Sequence, residues 1–294
     1  MNISYYTQLE DIIRRNLERR GLSGVERTGE LKGAAESLLS GKTVLIVTGF
    51  AVRSAMKGET DGPLGTVSLA EALERLGKKV IIVTDGYSED IMHSGLKALG
   101  LRCPVEVVPV RNESLFCRDL LEKYKPTHIA AIERPGRAAD GRCYSMKGED
   151  ISDIVPNTDI LFDEAKDRGI TTIGVGDGGN EIGMGSIRSY IMKSVYKGER
   201  ISAVAGADFL ILAGVSNWGG HALSAALSIL SRLMLLHDTE TEKRLLESIV
   251  ASGAVDGSTA QRTISVDGLS LDYNLEILDL LRGIIEEALE KQRD

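Results

Sequence analysis

Six short runs recur along the chain in which nearly every residue is apolar or β-branched: TVLIVT (43–48), KVIIVT (79–84), VEVVPV (105–110), THIAAI (127–132), ITTIGV (170–175) and DFLILAGV (208–215). A strand that shows one face to water alternates polar and apolar residues, whereas a strand buried on both faces reads as a continuous apolar run. The intervals between the runs are long enough for helices, and strands alternating with helices build a parallel sheet. The pattern predicts an α/β fold of three layers, doubly wound, with a mostly parallel sheet of about six strands and helices on both faces.

The clearest helix is PLGTVSLAEALERLG, which opens with Pro63 at a first helical position and closes at Gly77. Further helices are predicted over 88–99, 113–124, 157–169, 181–195, 217–236, 241–252 and 273–292, and two more, over about 4–20 and 29–40, precede the first strand. Near the end, Asp256-Gly257 and Asp267-Gly268 flank short β-prone runs, which predicts a small hairpin-like excursion from the sheet. No repeat, low-complexity tract or linker interrupts the chain. Residues 1–294 therefore read as one α/β domain: N-terminal helices in 1–42, main sheet and crevice in 43–236, C-terminal helices and hairpin in 237–294.

With 43% apolar and 27% charged residues, the composition is that of a globular chain with material for a sizeable core. A net charge of -8 without basic runs argues against nucleic acid and acidic membranes as partners. Cys103, Cys117 and Cys143 are odd in number and unevenly spaced, which fits buried thiols better than disulfides or a zinc site. The N-terminus lacks an apolar signal region, so a cytoplasmic location is expected. Segment Ala222–Leu236 is interrupted by Arg232 and too short to span a bilayer, and reads as a core helix. Helices 217–236 and 273–292 can pack on the sheet or on a second copy, so a homo-oligomer stays open.

The chemistry-bearing residues are distributed by position. After the first strand comes TGFAVRSAMKGETDGP, after the second DGYSED, after the fourth ERPGRAADGRCYSMKGED, after the fifth GDGGNEIGMG and after the sixth SNWGGH. In an open parallel sheet, the loops leaving the carboxyl ends of the strands share one edge, where ligands bind. Glu59, Asp61, Asp85, Glu133, Asp140, Asp177 and Glu181 would meet there, with Arg53, Arg134 and Arg137 among them. So many carboxylates repel one another unless cations intervene, which points to a hard divalent ion, Mn²⁺ or Mg²⁺, singly or as a pair. The arginines would clamp a small anionic substrate.

Plainer roles compete. Asp61 suits a cap for the helix at Pro63 as well as a ligand, Asp85-Gly86 suits a turn, and Arg134 and Arg137 could merely neutralise Glu133 and Asp140. His93, His128 and His237 show no partner pattern, His221 is a candidate for substrate contact, and Trp218 reads as packing. GVGDGG matches G-x-G-x-x-G literally. A dinucleotide site also needs a carboxylate about 20 residues on at the end of the next strand, and Glu199 lies in YKGER before any strand. Asp177 would also oppose a pyrophosphate, so neither a nicotinamide nor a flavin cofactor is expected.

ETDGP (59–63), IERPGRAADG (132–141), GVGDGGNEIGMG (174–185), GVSNWGG (214–220) and AVDGST (254–259), in this order, resemble the motif series of the D-glutamate cyclase C-terminal-domain family. The resemblance runs from about Thr43 to Asp272. It implies a three-layer α/β fold, an acidic cavity suited to divalent metal, and conversion of D-glutamate to 5-oxo-D-proline with loss of water. It also implies ligands from Glu59, Asp61, Glu133, Asp140, Asp177, Asn180 and Glu181. In larger members this domain follows a separate N-terminal one, to which nothing in these residues corresponds.

On this resemblance and the converging loops, a divalent ion on Asp177 and Glu181 would bind the substrate's γ-carboxylate, Glu133 would act as base, and Arg134 or Arg137 would hold the α-carboxylate. Arg53, Gly178, Gly179 and Asn217 complete the expected substrate contacts. The same acids would also suit a metal-dependent phosphatase, with backbone amides of the Gly176–Gly179 turn cradling the phosphate. A non-catalytic protein that binds a metal or an acidic amino acid is the third alternative.

Overall fold

The computed structural model describes residues 4–26 and 29–292. The chain enters through α1 (Tyr5–Ile13), a 3-10 turn at Leu17–Arg20 and α2 (Glu30–Ser40). β1 (Thr43–Thr48) leads through a short ribbon, β2 (Ala51–Val52) and β3 (Lys57–Gly58), into α3 (Pro63–Arg75). The alternation continues with β4 (Lys79–Thr84), α4 (Glu89–Ala98), β5 (Val105–Val107), α5 (Glu113–Tyr124), β6 (His128–Ile132) and α6 (Ile160–Asp163). Then come β7 (Thr171–Gly176), α7 (Arg188–Ser194), α8 (Gly198–Ile201), β8 (Phe209–Leu212) and α9 (Ser216–Ser231). α10 (Thr239–Ala251), a second ribbon of β9 (Ser265–Val266) and β10 (Leu269–Ser270), and α11 (Leu271–Lys291) follow.

The six main strands are all parallel, in the order β5-β4-β1-β6-β7-β8. The chain starts in mid-sheet, winds outward through β4 and β5, and returns to the other side of β1. The sheet is thus doubly wound, and its winding reverses between β1 and β6. The loops leaving those two strands part in opposite directions, which opens a crevice at their carboxyl ends.

Alternate residues of the central strands feed two cores. Val44, Ile46, Val80, Ile82, Ala130 and Ile132 pack with helices α2, α3, α4, α9, α10 and α11, whereas Leu45, Val47, Ile81, Val83, Ile129 and Ala131 face α5 and α6. Burial on both sides explains why the strands carry no polar alternation. α3 and α9 touch at their backbones: a Cβ on Gly220 would lie 2.6 Å from the Gly65 Cα. This contact sets the N-termini of the two helices side by side at the crevice.

Several elements are shorter than their sequence patterns predict. The expected strand over 105–110 stops at Val107, and the expected helix over 157–169 divides into α6 and a 3-10 turn at Lys166–Arg168. The helix expected over 181–195 begins only with the 3-10 turn at Gly185, because Glu181 and Gly183 form isolated bridges and Gly183 has φ +100. α1 ends at Ile13, and Asn16 (φ +70) turns the chain before the 3-10 segment. The C-terminal excursion is an antiparallel ribbon turning at Asp267-Gly268, both at positive φ as a tight two-residue hairpin requires. The three cysteines are free and buried, and burial pushes each thiol up to about 12. No helix among the described residues is long and apolar enough to cross a membrane.

Candidate functional site

Glu59 from the loop after β1, Glu133 after β6 and Asp177 after β7 line one cavity of about 220 Å³. Asp267 from the C-terminal ribbon and Arg20 from the N-terminal 3-10 turn join them, with Arg53, Lys147 and Glu149 also in the lining. Asp61 and Glu181 stand close behind. One oxygen each from Asp61, Asp177 and Asp267 lie within 4.8 Å of one another, as do one each from Glu133, Asp177 and Glu181, so Asp177 belongs to both triads. All these carboxylates are buried.

The glycine-rich loop after β7 folds around its own carboxylate. Glu181 Oε1 accepts from the backbone N–H of Asp177 at 3.1 Å and of Gly178 at 2.6 Å, and Oε2 accepts from that of Gly179 at 2.6 Å. Gly179 has φ +113, which lets the chain curl this tightly. Consecutive amides converging this way form an anion nest. Because Glu181 fills it, Gly178 and Gly179 do not turn their amides to the cavity, and the phosphate cradle expected of this turn is taken. Asp177 is left projecting into the cavity. Asn180 Nδ2 donates to the Tyr144 carbonyl at 2.7 Å, while its Oδ1 is buried without a partner.

Asp61 neither lines the cavity nor caps the helix that follows it. Its Oδ2 accepts from Ser216 N (2.9 Å) and its Oδ1 from Asn217 N (2.7 Å), so it caps α9 from across the fold. In return, Asn217 Oδ1 accepts from the N–H groups of Gly62 and Gly65, both at 2.9 Å, and its Nδ2 donates to Thr60 O at 2.9 Å. Asn217, expected at the substrate, spends its whole side chain on α3. Glu133 is held at φ +46, a region that non-glycine residues seldom occupy, and accepts from Ser216 Oγ at 2.6 Å. Such backbone strain persists where the surroundings enforce it.

The remaining expected residues lie elsewhere. Arg134 is fully buried, paired with Asp85, and donates to the carbonyls of Gly49 and Pro156 and to Thr158 Oγ1. It clamps three loops together behind the site. Arg137 pairs with Asp163 at 2.5 Å. Asp140 is exposed and accepts from Tyr144 Oη, which holds its carboxyl below the usual range. Arg53 does line the cavity, at its wall, paired with Asp153 and donating to Asp150 O at 2.8 Å.

Arg20 and Asp267 carried no sequence signal of site membership. Arg20 Nη2 lies 2.5 Å from Asp267 Oδ2 and 3.4 Å from Asp177 Oδ2. Asp256, also unforeseen at the site, fixes the adjoining loop: it accepts from Ser258 N, Thr259 N, Ser265 Oγ and Gly268 N. Burial, then the charges of Asp267 and Asp61, push the Glu59 carboxyl well above its ordinary range. Burial and Asp267 raise Asp61 to about 7. Burial, Glu181 and Asp61 raise Glu133; Asp177 is raised by burial against the opposing pull of Arg20. The cavity thus holds carboxyl groups of raised proton affinity beside the part-buried guanidinium of Arg20.

The profile of the family described as D-glutamate cyclase-like, C-terminal, matches residues 9–282. Over 237 residues the chain is 36% identical to a protein of Homo sapiens named D-glutamate cyclase, mitochondrial. The aligned part covers 76% of this chain and 38% of that relative, so the chain matches well under half of the relative's length.

Proposed function

Because the chain belongs to the D-glutamate cyclase-like family, we propose that it is a lyase closing D-glutamate to 5-oxo-D-proline with loss of water. The reaction would take place in the cavity lined by Glu59, Glu133, Asp177 and Asp267. The observation that carries this reading is the convergence of these carboxyls, several with raised proton affinity, beside the part-buried guanidinium of Arg20. Cyclisation forms a bond from the amino nitrogen to the side-chain carboxyl carbon and breaks one C–O bond there. Two protons leave the nitrogen and depart with the oxygen as water, so none is gained or lost overall. Such a reaction asks for groups that both accept and return protons near neutral pH, as buried carboxyls do.

Glu133, oriented by Ser216 Oγ, is assigned to take one ammonium proton and later return it to the departing oxygen; Glu59 in its protonated form first protonates that oxygen and is restored by the second ammonium proton. The substrate brings two carboxylates into an acidic cavity and needs cations. Arg20 lies among the acids, and Arg53 and Lys147 line the wall, where they would meet the α-carboxylate. Arg134 and Arg137 are tied to Asp85 and Asp163 and leave that task to them.

The donor set also fits a hard divalent ion, Mg²⁺ or Mn²⁺, because every donor is oxygen and the Asn180 Oδ1 is buried without a partner. Asp61, Asp177 and Asp267, or Glu133, Asp177 and Glu181, would hold it. When bound there it would withdraw charge from the substrate's side-chain carboxyl.

The test is incubation of the purified chain, chelated or supplied with Mg²⁺ or Mn²⁺, with D- or L-glutamate, followed by chiral chromatography of 5-oxoproline. Product from the D isomer is expected. Absence of product with every metal and at every pH would reject the assignment. With Glu181 filling the amide nest, no turnover of p-nitrophenyl phosphate is expected.

A further inference from the structure

Within the helical layer, a second group of titratable side chains meets that the proposed reaction does not use: His221 of α9, His237 between α9 and α10, and Glu242 of α10. They are 2%, 8% and 2% exposed, and one ligand atom from each lies within 4.8 Å of the other two. His221 Nε2 is 3.4 Å from Glu242 Oε1, and His237 Nε2 is 2.7 Å from Glu242 Oε2. On the far side of the His237 ring, Nδ1 lies 3.5 Å from Glu71 Oε2 of α3.

Four buried polar atoms in this one place make no well-formed hydrogen bond: both ring nitrogens of His221, of which Nε2 has only the long approach to Glu242, and His237 Nδ1 and Glu71 Oε2, which face each other at 3.5 Å. A buried polar atom without a well-formed hydrogen bond is costly, and so many together need a physical reason. A proton shared between His237 and Glu242 satisfies that pair but leaves His221, nearly inaccessible to water, with a 3.4 Å approach to Glu242 from Nε2 and no partner at Nδ1. A cation that accepts imidazole nitrogen satisfies both rings at once.

We propose that His221, His237 and Glu242 bind a zinc ion, with Glu71 orienting His237 from behind. Two imidazoles and one carboxylate are a zinc donor set, distinct from the all-oxygen cavity. Zn–N and Zn–O distances of about 2.0–2.2 Å are reached from the observed separations by small side-chain adjustments. Glu71 stands where a carboxylate accepts the other N–H of a metal-bound histidine and fixes its tautomer. The ion ties α10 to α9, and through Glu71 to α3, steadying the two helices whose N-termini frame the acidic cavity. The assignment does not depend on the reaction proposed above.

The experiment strips the full chain with a chelator, re-equilibrates it with Zn²⁺, removes free metal and measures bound metal by plasma mass spectrometry alongside melting temperature. About one retained equivalent of zinc is expected in the wild type and in Asp177→Asn, with a zinc-dependent rise in melting temperature. His221→Gln is expected to lose both the zinc and the rise. Glu71→Gln, which keeps all three ligands, is expected to bind zinc about ten- to a hundredfold more weakly, and it carries the test if His221→Gln fails to fold. No retained zinc in the wild type, equal retention in His221→Gln, or unchanged affinity in Glu71→Gln overturns the site.

Discussion

Asp61 and Asn217 exchange helix caps: the carboxylate of Asp61 accepts from the first amides of α9, and the side-chain oxygen of Asn217 accepts from Gly62 and Gly65 at the start of α3. The exchange locks together the two helices that meet at the Gly65–Gly220 contact. It holds Ser216, the hydrogen-bond donor to Glu133, in place at the crevice.

Replacing Asn217 by Ala leaves the buried Gly65 amide and the Thr60 carbonyl without their partner and takes from the Gly62 amide one of its two acceptors, the other being Asp61 Oδ1. The expected loss is about 2–3 kcal/mol of stability in urea denaturation. A change under about 0.5 kcal/mol, typical of an indifferent surface site, contradicts the cap exchange.

Glu181→Ala empties the amide nest of the β7 loop. The variant is expected to be about 2–3 kcal/mol less stable, since charge-assisted bonds to three amides are lost. Sulfate or phosphate should then occupy the nest and raise the melting temperature of the variant more than that of the wild type. Equal responses to the anion speak against the nest.

Much of the fold is legible in the sequence for a reason visible in particular residues. The runs at 43–48 and 79–84 are apolar through their middle residues because Leu45 and Ile46, or Ile81 and Ile82, face different cores. The convergence of Glu59, Glu133 and Asp177 follows from the parallel sheet alone. Direction within a loop does not. Glu133 and Arg134 are consecutive, and only the structure shows the carboxylate entering the cavity while the guanidinium reaches back to Asp85. Arg20 reads as one more charge in ERR, and it reaches the site through the turn at Asn16. Asp267 reads as a turn residue, which it is, but its side chain crosses to Arg20 through contacts that span most of the chain.

Asp159 is raised from 3.8 to about 7 by burial. A carboxyl that binds its proton more tightly in the folded state stabilises the fold when protonated. That stability is full below the unfolded value and is lost as pH rises through the folded one. Wild-type stability should therefore lose a component between about pH 4 and 7. Asp159→Asn, which keeps an acceptor for the Arg137 amide, should lack that component. Parallel stability–pH curves for the two proteins contradict the shift.

Gly257 lies at the cavity wall, where an added Cβ would fall 1.7 Å from Glu59 Oε2. Gly257→Ala must displace Glu59 and take up space in the cavity. A drop of at least about tenfold in kcat/KM is expected, with little change in melting temperature, because the backbone there needs no positive φ. Full activity in this variant contradicts the role given to Glu59.

The most direct measurement is the initial rate of 5-oxo-D-proline formation from D-glutamate by the wild type and by Asp177→Asn, with melting temperatures recorded for both. Asp177 lies in both acidic triads and lines the cavity, so the wild type should form product. The variant, still folded, should be slower by about a hundredfold or more. Equal rates in the two proteins, or no product from either, contradict the assignment of cyclisation to this cavity.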